Sequence, residues 1–378
     1  MSYPRLEPGK GVKGAMRTSL LAAALAFSLG CLPNTNPNYP TAVAVDGPNL
    51  VVTNDGIDMV DILPGTQAGS FGRPSGMATG QDPDGLCVGD FDGNGVTDLA
   101  LVNFGSSTMS VFLGAKGGGF EPRVDYPDDR AGSGPTSIEA YDLNRDGHLD
   151  LLVTNSLSDT VGVFFGNGDG TFQAGIYYPT GEAPSSVAVA DLNGDGLPDL
   201  AVANFGANTV SILYGQANGS FVAGPVLATG NGPISIATAD FNGDHLPDLA
   251  VLNNSDNTLT IFLGRGGGAF SGGIVYPLDT SPEYVAVDDF NGDGVPDLAI
   301  ANFLVNSVTV LLGRGDGTFA SGGDYATGDL PTFIAVGDLN GDGRKDLAVA
   351  DNGDGTVTVL IGNGDGTFSR GVTYPAAP

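Results

Sequence analysis

The sequence predicts an all-β protein, a seven-bladed β-propeller of four-stranded antiparallel blades, and three observations lead there. Gly supplies 61 of 378 residues, and the 43 acids divide into 38 Asp and 5 Glu, a bias toward turns and against helices. Pro83, Pro135, Pro184, Pro233, Pro282 and Pro331 open units spaced 52, 49, 49, 49 and 49 residues apart. Each unit holds four short apolar segments separated by Gly- and Asp-rich turns. A four-stranded unit repeated at roughly 40–50 residues marks a propeller blade, and closing the blades into a ring leaves few sheet edges exposed.

At the N-terminus, Arg5, Lys10, Lys13 and Arg17 precede an apolar run from Leu20 to Leu29 that ends at Gly30-Cys31. This pattern reads residues 1–30 as a secretion signal. The run is too short to span a bilayer, and no later segment approaches the needed length. Small residues ahead of Cys31 resemble a bacterial lipoprotein signal, with Cys31 lipidated, although Ser28 and Leu29 stand in the reverse of that family's usual order. An ordinary cleaved signal is the alternative. The expectation is an exported protein, either an outer-membrane or cell-surface lipoprotein or a secreted one. It would touch a membrane only through an N-terminal lipid anchor. The net charge of -29 repels phosphate backbones and excludes nucleic-acid binding by a basic surface. With Cys31 acylated, Cys87 has no disulfide partner and reads as a small buried residue of an apolar strand.

Residues 31–39 read as a linker, and 40–378 as the propeller. Its blades are placed at about 40–82, 83–134, 135–183, 184–232, 233–281, 282–330 and 331–378. The first opens at Pro40 and rejoins the repeat at Leu50-Val-Val-Thr-Asn54 with its acidic loop cut short. In the unit from Pro184 the strands are read at 186–190, 200–204, 209–214 and 221–229. Val187, Val189, Leu200 and Val202 put bulk on one face, while Ala188, Ala190, Ala201 and Ala203 keep the other small. Two apolar faces suit a sheet covered on both sides by neighbours. Turns such as Gly166-Asn-Gly-Asp-Gly-Thr-Phe172 join the third and fourth strands as hairpins. The ring closes either by contact between first and last blades or with a strand taken from residues 32–39.

The connection between first and second strands carries the chemistry. Asp-x-Asn-x-Asp-Gly-x-x-Asp recurs six times, with side-chain oxygens at positions 1, 3, 5 and 9 and a backbone carbonyl at position 7. The sets are Asp90, Asp92, Asn94, Val96 and Asp98; Asp142, Asn144, Asp146, His148 and Asp150; Asp191, Asn193, Asp195, Leu197 and Asp199. They continue with Asp240, Asn242, Asp244, Leu246 and Asp248; Asp289, Asn291, Asp293, Val295 and Asp297; Asp338, Asn340, Asp342, Arg344 and Asp346. Carboxylates held ~4 Å apart repel by roughly 4 kcal/mol per pair at an effective dielectric of 20, so such a loop favours closing on a hard cation. Ca²⁺, about six ions in mainly structural roles, is the expected cofactor. An EF-hand is excluded because position 12 is apolar (Val202) and the flanks are strands. His148 falls at the carbonyl position, and His245 replaces the turn Gly, which makes that loop the weakest of the six.

These loops, the Asp-Leu-Ala strands that follow and the Gly-Asp-Gly hairpins resemble the FG-GAP/VCBS repeat family, whose best-known members are the integrin α-subunit propellers. The resemblance spans residues 40 to 378. It implies a Ca²⁺-stabilised propeller in an exported adhesion or recognition protein, with the ligand roles falling on the loop residues named above. The trimmed first unit, with Gly47 where Asp is expected, should hold no ion.

The family spans binding proteins and, more rarely, enzymes. Antiparallel order puts the acidic loops and Gly-Asp-Gly hairpins on one face of the ring, leaving the opposite loop face to bind. That face begins with one Asn or Asp per blade, from Asn54 to Asp351; Asn103-Phe104, Asn204-Phe205 and Asn302-Phe303 add aromatics and form the candidate ligand set. Arg314-Gly-Asp316 is a hairpin turn with a chance Arg. Both histidines lie within acidic loops and no Ser/His/Asp set stands elsewhere, so no catalytic constellation is found. The expected function is that of a monomeric recognition or adhesion module for a protein or glycan. A lectin is the alternative, against which the absence of Trp counts. An enzyme acting on polysaccharide is the weakest reading.

Overall fold

The computed structural model describes residues 38–66, 69–127, 133–278 and 281–378. The signal segment and Cys31 lie outside them. The described chain forms seven four-stranded antiparallel sheets, each built from consecutive strands. Blade 1 comprises Pro40–Asp46, Asn49–Asn54, Met59–Leu63 and Ser75–Ala78. Blade 4, from Pro184, comprises Pro184–Ala190, Asp199–Asn204, Thr209–Gly215 and Phe221–Ala228. Its strands match the reading from sequence to within two residues. The one helical turn among the described residues is a 3-10 turn at Asp55–Ile57.

Alternation sets the packing. In blade 4, Leu200 and Val202 face blade 3 and join Leu152, Val161 and Val163 in one core cluster. Ala201 and Ala203 face blade 5, where the space they leave is filled by Ile236, Leu249 and Val251. Bulk from one sheet thus seats in the shallow face of the next. Second strands are buried at every residue from blade 2 to blade 7. Each fully buried Val or Leu there contributes roughly 1.5–3 kcal/mol.

The ring closes without strand exchange among the described residues. Every sheet is one continuous stretch of chain, and the seam is made by side chains. Val43, Leu50, Val52 and Leu63 of blade 1 pack with Ala348, Val357 and Val359 of blade 7. Thr332 Oγ1 donates to Pro40 O at 3.3 Å and Asn352 Nδ2 to the same carbonyl at 3.2 Å. The same hydroxyl device recurs elsewhere: Thr41 Oγ1 donates to Pro83 O at 2.9 Å and Ser185 Oγ to Pro233 O at 2.9 Å.

Candidate functional site

In the loop of blade 4, Asp191 Oδ1 accepts the Gly194 and Asp195 N–H groups at 2.8 and 3.0 Å, and its Oδ2 accepts Gly196 N–H at 2.8 Å. Asn193 Oδ1 accepts Asp195 N–H at 2.8 Å, and Asp195 Oδ1 accepts Leu197 N–H at 2.8 Å. These successive Asx turns draw the oxygens of alternate residues into one tight loop, which is why the spacing is two.

The Asp at position 9 is different. Asp199 is fully buried; its Oδ2 accepts Leu192 and Asn193 N–H at 2.9 and 3.1 Å, and its Oδ1 accepts Gly215 N–H at 2.7 Å. One carboxylate therefore pins the acidic loop to the start of the hairpin. Asp98, Asp150, Asp248, Asp297 and Asp346 make the same bridge, to Gly114, Gly166, Gly264, Gly313 and Gly362. Burial raises Asp199 to about 6 against the pull of these backbone donors. In trimmed blade 1, Asn49 Oδ1 takes over the bridge and accepts Gly65 N–H at 3.2 Å.

The donor set suits a hard cation. In blade 2, Asp90, Asp92 and Asp98 bring carboxylate oxygens within 4.8 Å of one another. In the other five loops an amide oxygen stands at position 3. The loop with His245 keeps the shared geometry: the residue adopts a left-handed φ of 66°, and its N–H reaches Asp240 Oδ2 at 2.8 Å, as Gly196 does to Asp191. His148 donates its backbone N–H to Asp146 Oδ1 at 2.9 Å. Arg145 is a second non-glycine at a glycine position, with φ 62°. Replacing either Arg145 or His245 by Gly is expected to stabilise by about 0.5–1 kcal/mol. Urea midpoints measure this, and a lowered midpoint would show that those side chains contribute more than their strain costs.

Sequence reasoning missed how the loops key into neighbouring blades. The apolar residue at position 2 packs against the hairpin Phe of the following blade. Phe91 meets Phe172 edge-on at 5.6 Å, Phe241 meets Phe319 at 5.6 Å, and Phe290 meets Phe368 at 5.6 Å. Backbone bonds reinforce this contact, Gly170 N–H donating to Phe91 O at 3.0 Å and Gly317 N–H to Phe241 O at 2.9 Å. The signal was present as an invariant-looking apolar residue inside each acidic run and a Phe closing each hairpin.

The Asn and Phe residues proposed for the ligand face are corrected by the structure. Asn103, Asn204 and Asn302 are buried and turned inward. Asn204 Oδ1 accepts Gly181 N–H at 3.1 Å, while its Nδ2 donates to Thr209 Oγ1 and Ser211 Oγ at 3.1 and 2.9 Å. Asn103 ties Gly80, Thr108 and Ser110 together in the same way. Asn302 donates to Ser307 Oγ and Thr309 Oγ1 at 3.3 and 2.8 Å. Phe104 and Phe303 are buried and Phe205 is half-buried. The amides are spent on joining second strand, third strand and inter-blade connection. Among the described residues, the large apolar side chains exposed at these loop tips are Leu157 of blade 3 and Leu304-Val305 of blade 6, where blades 2 and 4 have Gly-Ser and Gly-Ala.

A family model described as FG-GAP-like repeat matches residues 90–153, 142–202, 191–251, 243–300, 289–349 and 338–378. No curated protein matches the chain. Solved structures share the architecture at low identity. A virginiamycin B lyase from Staphylococcus aureus is 14% identical with TM-score 0.57, covering 85% of this chain and 94% of its own. A putative 6-phosphogluconolactonase from Bacteroides uniformis is 14% identical with TM-score 0.63, covering 90% and 98%. A protein from Lactobacillus plantarum is 15% identical with TM-score 0.64, covering 90% and 96%. Likeness at this identity speaks to fold alone.

Proposed function

The chain belongs to the FG-GAP-like repeat family, and from that premise we propose that it is an exported calcium-binding propeller that recognises a protein or glycan with the face opposite its acidic loops. The observation that carries this reading is the division of labour between faces. Six acidic loops crowd one face, each tied into the neighbouring hairpin, while exposed Leu157, Leu304 and Val305 stand at loop tips of the other. An ion at Asp90, Asp92 and Asp98, and at the equivalent residues of the other five loops, would neutralise clustered carboxylates and stiffen the contact between blades. The chain's own residues do the positioning: position 9 fixes the loop to the sheet, and position 2 fixes it to the neighbouring blade. Exposed apolar tips on a rigid ring are the features of a recognition surface rather than of a core. A signal segment with Cys31 as lipid acceptor, a monomeric state and a strongly acidic surface that avoids nucleic acid complete the proposal.

The test is a cell-envelope pull-down alongside a glycan array, each run in calcium and in chelator. Capture of a partner in calcium is expected, with a loss of tenfold or more in Leu157→Asp and in Leu304→Asp/Val305→Asp. Sugar hits would assign a glycan and a captured protein an assembly role. Unaltered capture by both variants would remove this face from consideration.

A further inference from the structure

An Asn followed by Gly carries its own reagent. The Gly amide nitrogen can attack the Asn side-chain carbonyl carbon, since no Cβ on the Gly blocks the approach. The sequence holds ten such pairs, at Asn94, Asn167, Asn193, Asn218, Asn231, Asn242, Asn291, Asn340, Asn352 and Asn363. The fold treats them unequally.

In eight pairs the attacking nitrogen is engaged. Gly194 and Gly341 N–H donate to the position-1 carboxylates of Asp191 and Asp338 at 2.8 Å, and Gly243 and Gly292 N–H to those of Asp240 and Asp289 at 2.7 Å. Gly95 N–H donates to Asp90 Oδ2 at 2.9 Å. Gly219, Gly232 and Gly353 N–H reach Gln216 O, Asn208 Oδ1 and Asp329 O, each at 2.8 Å. A bound N–H must give up its bond before the nitrogen can attack. In the acidic loops the carboxylate also opposes the negative charge that develops on that nitrogen as its proton leaves. The loop amides are held too: Asn193 Oδ1 accepts Asp195 N–H at 2.8 Å, and its Nδ2 donates to Asp195 Oδ2 at 3.1 Å.

Asn167-Gly168 and Asn363-Gly364 are the exceptions. They sit in two copies of one heptapeptide, Gly-Asn-Gly-Asp-Gly-Thr-Phe at 166–172 and 362–368, in the hairpins of blades 3 and 7. Gly168 and Gly364 N–H have no hydrogen-bond partner among the described residues, and Asn167 and Asn363 are exposed. Each of these side chains bonds through the nitrogen that would leave. Asn167 Nδ2 donates to Thr171 Oγ1 and Asn363 Nδ2 to Thr367 Oγ1, both at 2.9 Å.

We propose that Asn167 and Asn363 are self-modification sites, which convert without an enzyme to Asp and isoaspartate. The Gly nitrogen gives up its proton and bonds to Asn Cγ. The Cγ–Nδ2 bond breaks, and the side-chain nitrogen takes up a proton and leaves as ammonia. Water then opens the succinimide ring, at Cγ to give Asp or at the backbone carbonyl carbon to give isoaspartate. Asp adds a negative charge to a turn that already carries Asp169 or Asp365; isoaspartate adds a methylene to the backbone. Both hairpins seat on the preceding blade's acidic loop, Gly170 N–H on Phe91 O at 3.0 Å and Gly366 N–H on Phe290 O at 3.1 Å. The conversion therefore acts where one blade is keyed to the next.

Peptide mapping by mass spectrometry tests this on the folded protein, aged in calcium-containing buffer at pH 8 in heavy-oxygen water. Each event replaces the side-chain nitrogen by one labelled oxygen, which separates conversion during the incubation from any that preceded it. Asn167 and Asn363 are expected to convert about tenfold or more faster than the other eight pairs, the factor that one retained hydrogen bond supplies. In the urea-unfolded chain all ten should convert at comparable rates. Equal rates at Asn193 or Asn291 in the folded protein would overturn the proposal. So would no conversion at Asn167 and Asn363 while the unfolded chain reacts, or the same two-site preference after unfolding. None of these results depends on what the ring recognises.

Discussion

Asp351→Asn is expected to stabilise the protein at alkaline pH by on the order of a few kcal/mol. Asp351 ends the second strand of blade 7, where the other six blades have Asn. In blade 5 the amide Asn253 donates to Thr258 Oγ1 and Thr260 Oγ1 at 3.1 and 2.9 Å and accepts Thr229 Oγ1 at 2.9 Å. Asp351 fills the same fully buried slot with a carboxyl. It accepts Thr358 Oγ1 at 2.6 Å on Oδ2, while its Oδ1 is without a partner. Burial raises it from 3.8 to about 8, with smaller corrections from Thr358 and Asp354. At neutral pH the folded chain therefore holds this carboxyl protonated. The sign follows. The folded value exceeds the unfolded one, so the stabilisation is complete below about pH 4, declines as pH rises, and is lost by about pH 8. Asn carries no such dependence. Urea midpoints of both proteins between pH 5 and 9 should diverge steadily with pH; parallel curves would mean that Asp351 is ionised in the fold. The next residue, Asn352, bonds Pro40 across the ring seam, so ionisation strains the ring where its ends meet.

Asp199→Ala should cost about 3 kcal/mol or more whether or not calcium is present, whereas Asp195→Ala should be costly in calcium alone. The contrast follows from what each carboxylate holds. Asp199 is buried and satisfies three backbone donors from two separate loops, so removing it strands those N–H groups inside the protein. Asp195 is exposed, and within the chain it accepts chiefly its own loop's Leu197 N–H and the Asn193 amide. On the function proposed above, its larger role would be as an ion ligand. Thermal melts of both variants in calcium and in chelator, with calcium counted by equilibrium dialysis, separate the two. A calcium count unchanged in Asp195→Ala would defeat the ligand assignment of the loop. Equal melting of Asp199→Ala and the parent in chelator would defeat the bridge.

The repeat was legible because every blade must solve the same packing problem with the same alternation. Leu200-Ala-Val-Ala203 announces a sheet buried on two unequal faces, and the structure seats it between blades 3 and 5 in that manner. The acidic loops were legible for a similar reason, since side chains that alternate along a tight turn converge whatever surrounds them. Asn204 was misplaced because an Asn before a turn looks the same whether it caps a surface loop or bonds inward. The difference lies in Thr209, Ser211 and Gly181, and Gly181 belongs to the connection from the preceding blade. Position 9 was half legible: its carboxylate was read as a ligand, but its bridge to Gly215 spans sixteen residues and a strand pair that only the folded sheet brings together.

Because no blade borrows a strand from elsewhere among the described residues, the order in which the blades are strung carries little structural information. The connection between Thr229 and Pro233 resembles those at 180–183 and 327–330, so a chain opened there and joined from the last described strand to Pro40 keeps every described sheet intact. Such a circular permutant needs only the side-chain seam between blades 1 and 7 to become a covalent one. In a ring of this kind the gain or loss of a whole unit would alter circumference without rewriting any blade.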